Sequence, residues 1–593
     1  MRWLIGMALV MAGPAAASPA DDLAAVIADH WQWTLRTYPT LASTLGDRRY
    51  DGKLADRSVA GMAAQAGEAT ALLKRVDAIP EAGLDATQRV NKAILRRLLD
   101  EAVTGSRFPE RMVQFSSYSS PWQEFAGLAD DLPFATKADY RSYVDRLKAY
   151  PAQMGQVIAT GDAAITTKVT QPCETLGGLA GSISGLIAEP EATRYYAPFG
   201  RKKPADASAA EWAALQTEGR AAIRDVVIPQ NRTLLEWANA RYLPACRKTA
   251  GASTLPEGEA WYAWRVKVET TTEMTPDQVH ALGQSEVARI RAEMDGVAAK
   301  AGYPSRQAMI ASMKSDPKYF AKTPEEMLAA AARMAKIIDG KMPALFTHLP
   351  RLPYGVRAIP AETAEGTTTA YYSPGSPASG IAGNYYVNTS KLDQRPLWEL
   401  PALTSHEAVP GHHHQIALQQ ELDLPDFRRH VAYFTAFTEG WGLYSEHLGL
   451  DIGLYDTPEK DMGRLSYEMW RACRLVVDTG LHAKGWTKDQ AVAFMRDNSA
   501  LTDANIDAEV NRYISWPGQA LGYKVGELRF RALRDKAEKA LGPGFNLRRF
   551  NDAVVAQGSV PMDVLEAQID GWIAAGGQEG GGVTAAFGGR QPK

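Results

Sequence analysis

Pro410-Gly411, lodged between His406-Glu407 and the triple histidine His412-His413-His414, constrains the folding of this chain more than any other dipeptide. Imidazoles four residues apart lie on one face of an α-helix, about one turn apart, and can grip a single metal ion. Here the spacing is six or seven. On an unbroken helix His406 and His412 would stand about 240° apart, and His406 and His413 would align but lie about 10 Å apart. Proline cannot donate to the carbonyl four residues back, that of His406, and with Gly411 it permits a kink or a bulge. A bulge absorbing two residues returns His412 to the place of a second ligand. His413 is the alternative ligand, and otherwise supports the ligands or faces a substrate. The helix is therefore deformed here, or no metal binds.

Seven of the ten histidines lie between His406 and His482, a density that favours metal binding over a merely polar helix surface. Glu407, beside His406, stands where H-E-x-x-H enzymes keep the base that takes a proton from zinc-activated water. A third ligand is expected from Thr438-Glu439-Gly440-Trp441-Gly442-Leu443-Tyr444-Ser445-Glu446, where two carboxylates seven apart share nearly one face of an otherwise apolar helix. Glu439 is expected as the ligand and Glu446 as the carboxylate that orients a ligand imidazole. Asp478 and His482, four apart on one helix, would hydrogen-bond each other and a ligand, or form a second, weak metal site. His/His/Glu ligation points to zinc. His414, His430 and His447 are expected to be ordinary polar residues.

Helical periodicity runs from Asp21 to about Lys248, as in Leu23, Val26, Ile27, His30, Trp31 and Leu35. A Gly/Pro break at 251–258 separates it from a second helical stretch that Thr275-Pro276 opens with a cap and a first-turn proline. Between Arg357 and Ser390 the period fails, and Asn384 to Thr389 has strand composition. Helices resume from Pro396 to Leu541. The expected organisation is a signal peptide at 1–17, a helical region at 18–250, a catalytic region at 251–575 and a Gly-rich tail at 576–593.

Arg2, the apolar run Trp3–Ala12 and Ala15-Ala16-Ala17 predict a cleavable signal and a periplasmic or secreted protein. No stretch approaches the roughly 20 apolar residues of a membrane helix. A net charge of −3, from 65 basic and 68 acidic residues, supplies no field to attract nucleic acid. Of three cysteines, Cys173 and Cys246 are the pair that an oxidising compartment would join, and Cys473 falls in an apolar helical pattern.

The H-E-x-x-P-G-H-H and E-G-W-x-x-Y-x-E motifs, with Arg474 to His482, Arg512-Tyr513 and Pro517 to Tyr523, resemble those of a bacterial family of exported and lipoprotein metallopeptidases named as a domain of unknown function. The likeness covers nearly the whole mature chain, thinning before about Tyr38 and after Asp570. More distantly the chain is similar to helical gluzincins such as thimet oligopeptidase, carboxypeptidase Taq and angiotensin-converting enzyme. Their Gly-His second ligand corresponds to Gly411-His412 and favours His412 over His413, although they lack the Pro-Gly insertion. The resemblance implies a mainly α, zincin-like body with a deep cleft and a small β-sheet beside the active-site helix. It also implies zinc-dependent cleavage of peptide bonds, with Tyr523 steadying the oxyanion and Tyr513 as the alternative donor. Arg512 would hold a substrate carboxylate. Tyr385, Tyr386 and Asn388 would line the cleft from a strand that pairs with the substrate backbone. The same constellation would also serve a metal-dependent amidase or esterase, whereas a non-catalytic peptide-binding envelope protein would not need Glu407.

Overall fold

Capping residues start the helices where the sequence places them. Ser18 accepts from the backbone N–H of Asp21 and Pro19 occupies the first turn of helix Pro19–Thr37; Thr275 and Pro276 do the same for Pro276–Lys300. In this computed structural model the described residues are 18–578, apart from 117–118, 365–366 and 378–379. The signal expected at 1–17 lies outside them, as does the expected tail beyond residue 578. The fold is mainly α with one small sheet, as the sequence predicts. Among the described residues no helix is long and apolar enough to cross a membrane.

The packing does not follow the boundary expected at residue 250. Residues 115–242 have an aromatic-rich core of their own, built on Trp122, Tyr143, Tyr150, Tyr195 and Trp237. Helices Pro19–Thr37, Val59–Ala78 and Ala86–Gly105 instead share a core with residues from Phe427 to Trp572. Arg428 ties the two ends together, its Nη1 donating to Asn91 Oδ1 at 2.9 Å. The Cys173–Cys246 disulfide is present, with Cα atoms 5.0 Å apart, and Pro172 and Arg247 form a parallel bridge beside it. Cys473 is a free thiol in the core, pushed up to about 12 by burial.

Helix Pro458–Ala483 is the axis of the C-terminal half. Nearly every residue from Met462 to His482 is buried, with Pro276–Lys300 along one side and Leu521–Leu541 along another. The glutamate helix, Thr435–Leu448, crosses Leu521–Leu541 at backbone contact. A Cβ on Gly440 would lie 2.6 Å from the Gly526 Cα, and one on Gly526 would lie 1.9 Å from the Ala436 oxygen. Two glycines at the crossing let the helices approach this closely.

The sheet has strands β1 (Tyr354–Ala358), β2 (Ala370–Ser373) and β3 (Gly383–Val387) in the order β1-β3-β2. β3 pairs parallel with β1 and antiparallel with β2. The predicted strand is thus the central one, and β1 and β2 are the outer strands. The alternation of β3 sends Tyr385 into the core and its neighbour Tyr386 to the opposite face, where it stacks on Tyr371 with ring centroids 4.9 Å apart.

Candidate metal centre

Three helices converge on the centre. Leu400–Glu407 carries His406 and Glu407 at its C-terminal end, His412–Glu421 begins with His412, and Thr435–Leu448 carries Glu439 and Glu446. Where the sequence suggests one bulged helix, the structure has a complete break. Ala408 (φ −101°, ψ −104°) and Gly411 (φ −75°, ψ −129°) both leave helical geometry, and the Val409–Pro410 peptide is cis. Continuing the helix would press the Pro410 ring against the His406 carbonyl. The turn is so tight that a Cβ on Gly411 would lie 1.9 Å from that carbonyl oxygen, so only glycine fits. The indole of Trp441 pins the turn from the next helix, donating to the Pro410 oxygen at 2.8 Å.

The break brings His412 to His406. Their rings lie 4.7 Å apart and nearly perpendicular. Glu439 Oε2 is 3.5 Å from His406 Nε2 and 3.4 Å from His412 Nε2, and the three candidate ligand atoms all lie within 4.8 Å of one another. Such separations are long for hydrogen bonds. The two distances to Glu439 match the edge of a tetrahedron whose bonds have the length usual for zinc with His and Glu, about 3.4 Å. Two nitrogens and one carboxylate oxygen also leave a fourth position open, as in catalytic sites. The residues therefore fit zinc.

Supporting groups fix the ligands. Glu446 Oε1 accepts from His406 Nδ1 at 2.9 Å and forms an ion pair with Arg471 Nη2 at 3.1 Å. A proton on Nδ1 leaves the Nε2 lone pair facing the centre. Burial would lower the His406 pKa, but Glu439 and Glu446 outweigh it and hold the metal-free imidazole up at about 9. Gly442, between the two glutamates, lies flat against the His406 ring: a Cβ there would come within 2.7 Å of Cε1. The other carboxylate oxygen of Glu439, Oε1, accepts from the Tyr433 hydroxyl at 3.2 Å. The Glu407 carboxylate is largely buried and has no ion-pair partner among the described residues.

Tyr523 lies beside His406. Its ring stacks on His406 at 6.2 Å and carries the Arg474 guanidinium 4.2 Å from its centroid. Burial and the nearby Glu439 charge raise its hydroxyl to about 12, against the pull of Arg512 and Arg474.

Other expected residues serve elsewhere. His413 turns away, its Nδ1 meeting the Tyr372 hydroxyl at 3.0 Å, and burial pulls its pKa down to about 4. His414 packs on Phe346 at 4.1 Å and is brought down to about 3 by burial. Asp478 and His482 do not bond each other. Asp478 accepts from Tyr262 at 2.6 Å and from the Gly518 N–H at 3.1 Å, and His482 bridges the Ala252 N–H and the Tyr513 carbonyl, each at 3.0 Å. Both hold loops to the central helix. Arg512 is paired with Glu509 at 2.8 Å, and Tyr513 donates to the same carboxylate at 2.8 Å while accepting from Trp470 and Arg474. Neither is free for a substrate. Tyr385 is enclosed against Thr404, and Asn388 caps the carbonyls of Ala364, Thr367 and Thr368, so of that run it is Tyr386 that reaches the cleft. Sequence reasoning missed Tyr433, Arg471 and Gly442. Gly442 had a signal, being a helix-interior glycine between two nominated glutamates; Tyr433 and Arg471 meet the centre only through tertiary packing.

A cleft of about 2150 Å³ opens onto His412 and Glu439. It is lined by β2 and the His412–Glu421 helix together with Trp31, Leu35, Asp130 and Arg194 of the first 200 residues.

Comparison with known proteins agrees with this architecture. The model of a family described as "Bacterial protein of unknown function (DUF885)" matches residues 39–569. No curated protein matches the chain. The solved structure of a "putative lipoprotein from Colwellia psychrerythraea" superposes with a TM-score of 0.88 at 27% identity, covering 94% of this chain and 100% of that one. A "putative lipoprotein of unknown function from Shewanella oneidensis" superposes with a TM-score of 0.71 at 20% identity, covering 93% and 99%, and so shares the fold.

Proposed function

The chain belongs to the family of bacterial proteins of unknown function, DUF885, whose membership brings no activity with it, and we propose from the centre itself that it is a zinc-dependent peptidase. The observation that carries this reading is the convergence of His406 Nε2 and His412 Nε2 on Glu439 Oε2, each at tetrahedral-edge distance, beside a Glu407 with no ion-pair partner among the described residues. Zinc held there supplies a Lewis acid that polarises a carbonyl and lowers the pKa of water. Glu407 takes the proton of the attacking water and passes it to the leaving amine. Glu446 and Arg471 keep His406 in the tautomer that presents Nε2. Tyr523, protonated throughout the neutral range, donates to the oxygen on which negative charge develops.

Two features favour a peptide over a small amide or ester. The cleft exceeds the roughly 300–1,000 Å³ of a small-molecule pocket. Its wall also includes Tyr371, Tyr372 and Ser373 of the outer strand β2, to which an extended backbone can add. An exported location is supported by the names of the two solved relatives, both lipoproteins by description, and by the disulfide.

The test is metal analysis of the purified protein followed by mass spectrometry of a digested peptide library. One zinc per chain and defined cleavage are expected, with Glu407→Gln keeping the metal and losing turnover. Undiminished hydrolysis by Glu407→Gln would sink the mechanism, and a preparation without stoichiometric metal would sink the ligand assignment.

A further inference from the structure

Resting on the peptidase reading, the structure assigns the cleft a substrate class: we infer that it takes peptides through their aromatic and branched aliphatic side chains, seated on a platform formed by Tyr371, Tyr386 and Ile381. Large hydrophobic side chains are costly to leave in water, about 25 cal/mol for each Å² exposed. Among the described residues the exposed ones are Tyr38, Ile337, Leu349, Tyr371, Ile381, Tyr433 and Leu450. Four of these, Leu349, Tyr371, Ile381 and Tyr433, line the one cleft that opens onto the metal centre. Scattered exposed apolar residues need no explanation, but a concentration in one concavity marks a binding surface.

The platform is preorganised. Tyr371 and Tyr386 are directly opposite each other on β2 and β3, and their rings stack at 23°. Two parallel phenols with their faces fixed by the sheet present a flat apolar surface with little side-chain entropy left to lose. Ile381 sits in the hairpin between the same strands, held by paired backbone bonds with Ser376 at 2.8 and 3.0 Å. The first helix adds Trp31 and Leu35 to the lining of the same cleft.

Six of the charges that line the cleft are paired within its own wall. Asp130 pairs with Arg194, Glu421 with Arg351 and Asp426 with Arg429, all within the wall itself. These six charges are satisfied before a ligand arrives, so a charged side chain entering there gains little and loses its hydration. Apolar side chains lose nothing comparable.

The experiment measures binding apart from catalysis. Zinc-loaded full-length Glu407→Gln protein is titrated into two fluorescein-labelled nonapeptides on a Gly/Ser background, one with Phe and Leu at alternate positions, the other with Lys and Glu there. Anisotropy is expected to show the apolar peptide bound at least about tenfold more tightly, on the scale that one buried side chain contributes. The preference should fall to within about threefold when Tyr371→Ser and Ile381→Ser are added; both sites are exposed, and a melting curve checks that the fold is kept. Equal affinity for the two peptides, no binding of either, or a preference that survives the double substitution overturns the platform. Wild-type hydrolysis separates this from the peptidase reading: cleavage without apolar preference removes the platform alone, and apolar binding without cleavage removes the catalytic reading alone.

Discussion

Gly442→Ala tests the centre through a residue that is not a ligand. A Cβ at this position would stand 2.7 Å from His406 Cε1, 2.8 Å from Nε2 and 3.0 Å from Nδ1, where ordinary contact begins at 3.4 Å. The ring must withdraw by about 0.7 Å, the difference between 3.4 and 2.7. Gly442 lies between Glu439 and Glu446 on the same helix, so withdrawal carries the imidazole away from both carboxylates. The 2.9 Å bond to Glu446 would lengthen beyond hydrogen-bonding range, and Nε2 would leave the spacing that zinc tolerates, about ±0.2 Å. Zinc affinity should fall about 10–100-fold, the usual result of releasing a ligand histidine from its support. Stability should change far less, because overpacking costs about 1–3 kcal/mol and replacing a helical glycine by alanine returns about 1 kcal/mol. Affinity is read by competition with a chelator of known strength and stability by urea unfolding of the metal-free protein. Gly296→Ala, in a helix where nothing lies within 4 Å of the new methyl, supplies the propensity control. Native zinc affinity in Gly442→Ala, with the control behaving as expected, would refute the packing argument.

Replacing Glu446 by Gln should weaken zinc binding about tenfold or more while leaving the three ligands in place, measured by the same competition; unchanged affinity would remove it from its orienting role. Asp478, pushed up to about 7 by burial against its Tyr262 and Gly518 donors, binds its proton more tightly folded than unfolded. Its contribution to stability is therefore complete below about pH 4 and is lost as pH rises through about 7. Buried histidines such as His414 and His482 act in the opposite sense, so the observable is the difference between wild type and Asp478→Asn in urea. That difference should decline from pH 4 to 7, and a flat difference would contradict the assignment. Cys173→Ser with Cys246→Ser, opening a link between residues 73 apart, should cost about 4 kcal/mol in denaturant melts and leave zinc affinity unaltered.

Which parts of this molecule could be read from the chain follows from the range of the interactions involved. Helices were legible because caps and periodicity are local, as at Ser18-Pro19 and Thr275-Pro276. Spacing and family likeness single out His406, His412 and Glu439 as candidate ligands, and the fold brings the three together. The form of the distortion was not legible. Proline predicts that a helix must yield, but whether it bulges or stops is decided by what can receive the turn, here Trp441 from another helix. Asp478 and His482 looked like a functional pair because they share a helix face. They instead meet backbone groups of Gly518 and Ala252, partners that only the tertiary arrangement supplies. Tyr385 and Asn388 were misjudged for a related reason. A strand's composition does not say which of its alternating faces meets the core; β3 turns Tyr385 inward, and Asn388, just past the strand, is taken up by the carbonyls of Ala364, Thr367 and Thr368.

The core shared by helices Pro19–Thr37, Val59–Ala78 and Ala86–Gly105 with the last helix has a consequence for how the protein comes into being. Leu23, Val26, Leu72 and Leu95 belong to the same apolar cluster as Met562, Leu565, Ile569 and Trp572. The earliest helices to be synthesised can pack on one another, but much of the core they share arrives only when the ribosome has nearly finished. Residues 115–242, with an independent core, can settle in the meantime as a loop held out from the unfinished body. Contacts of such long sequence separation make closure slow, and a chain truncated before Met562 would leave that shared core incomplete.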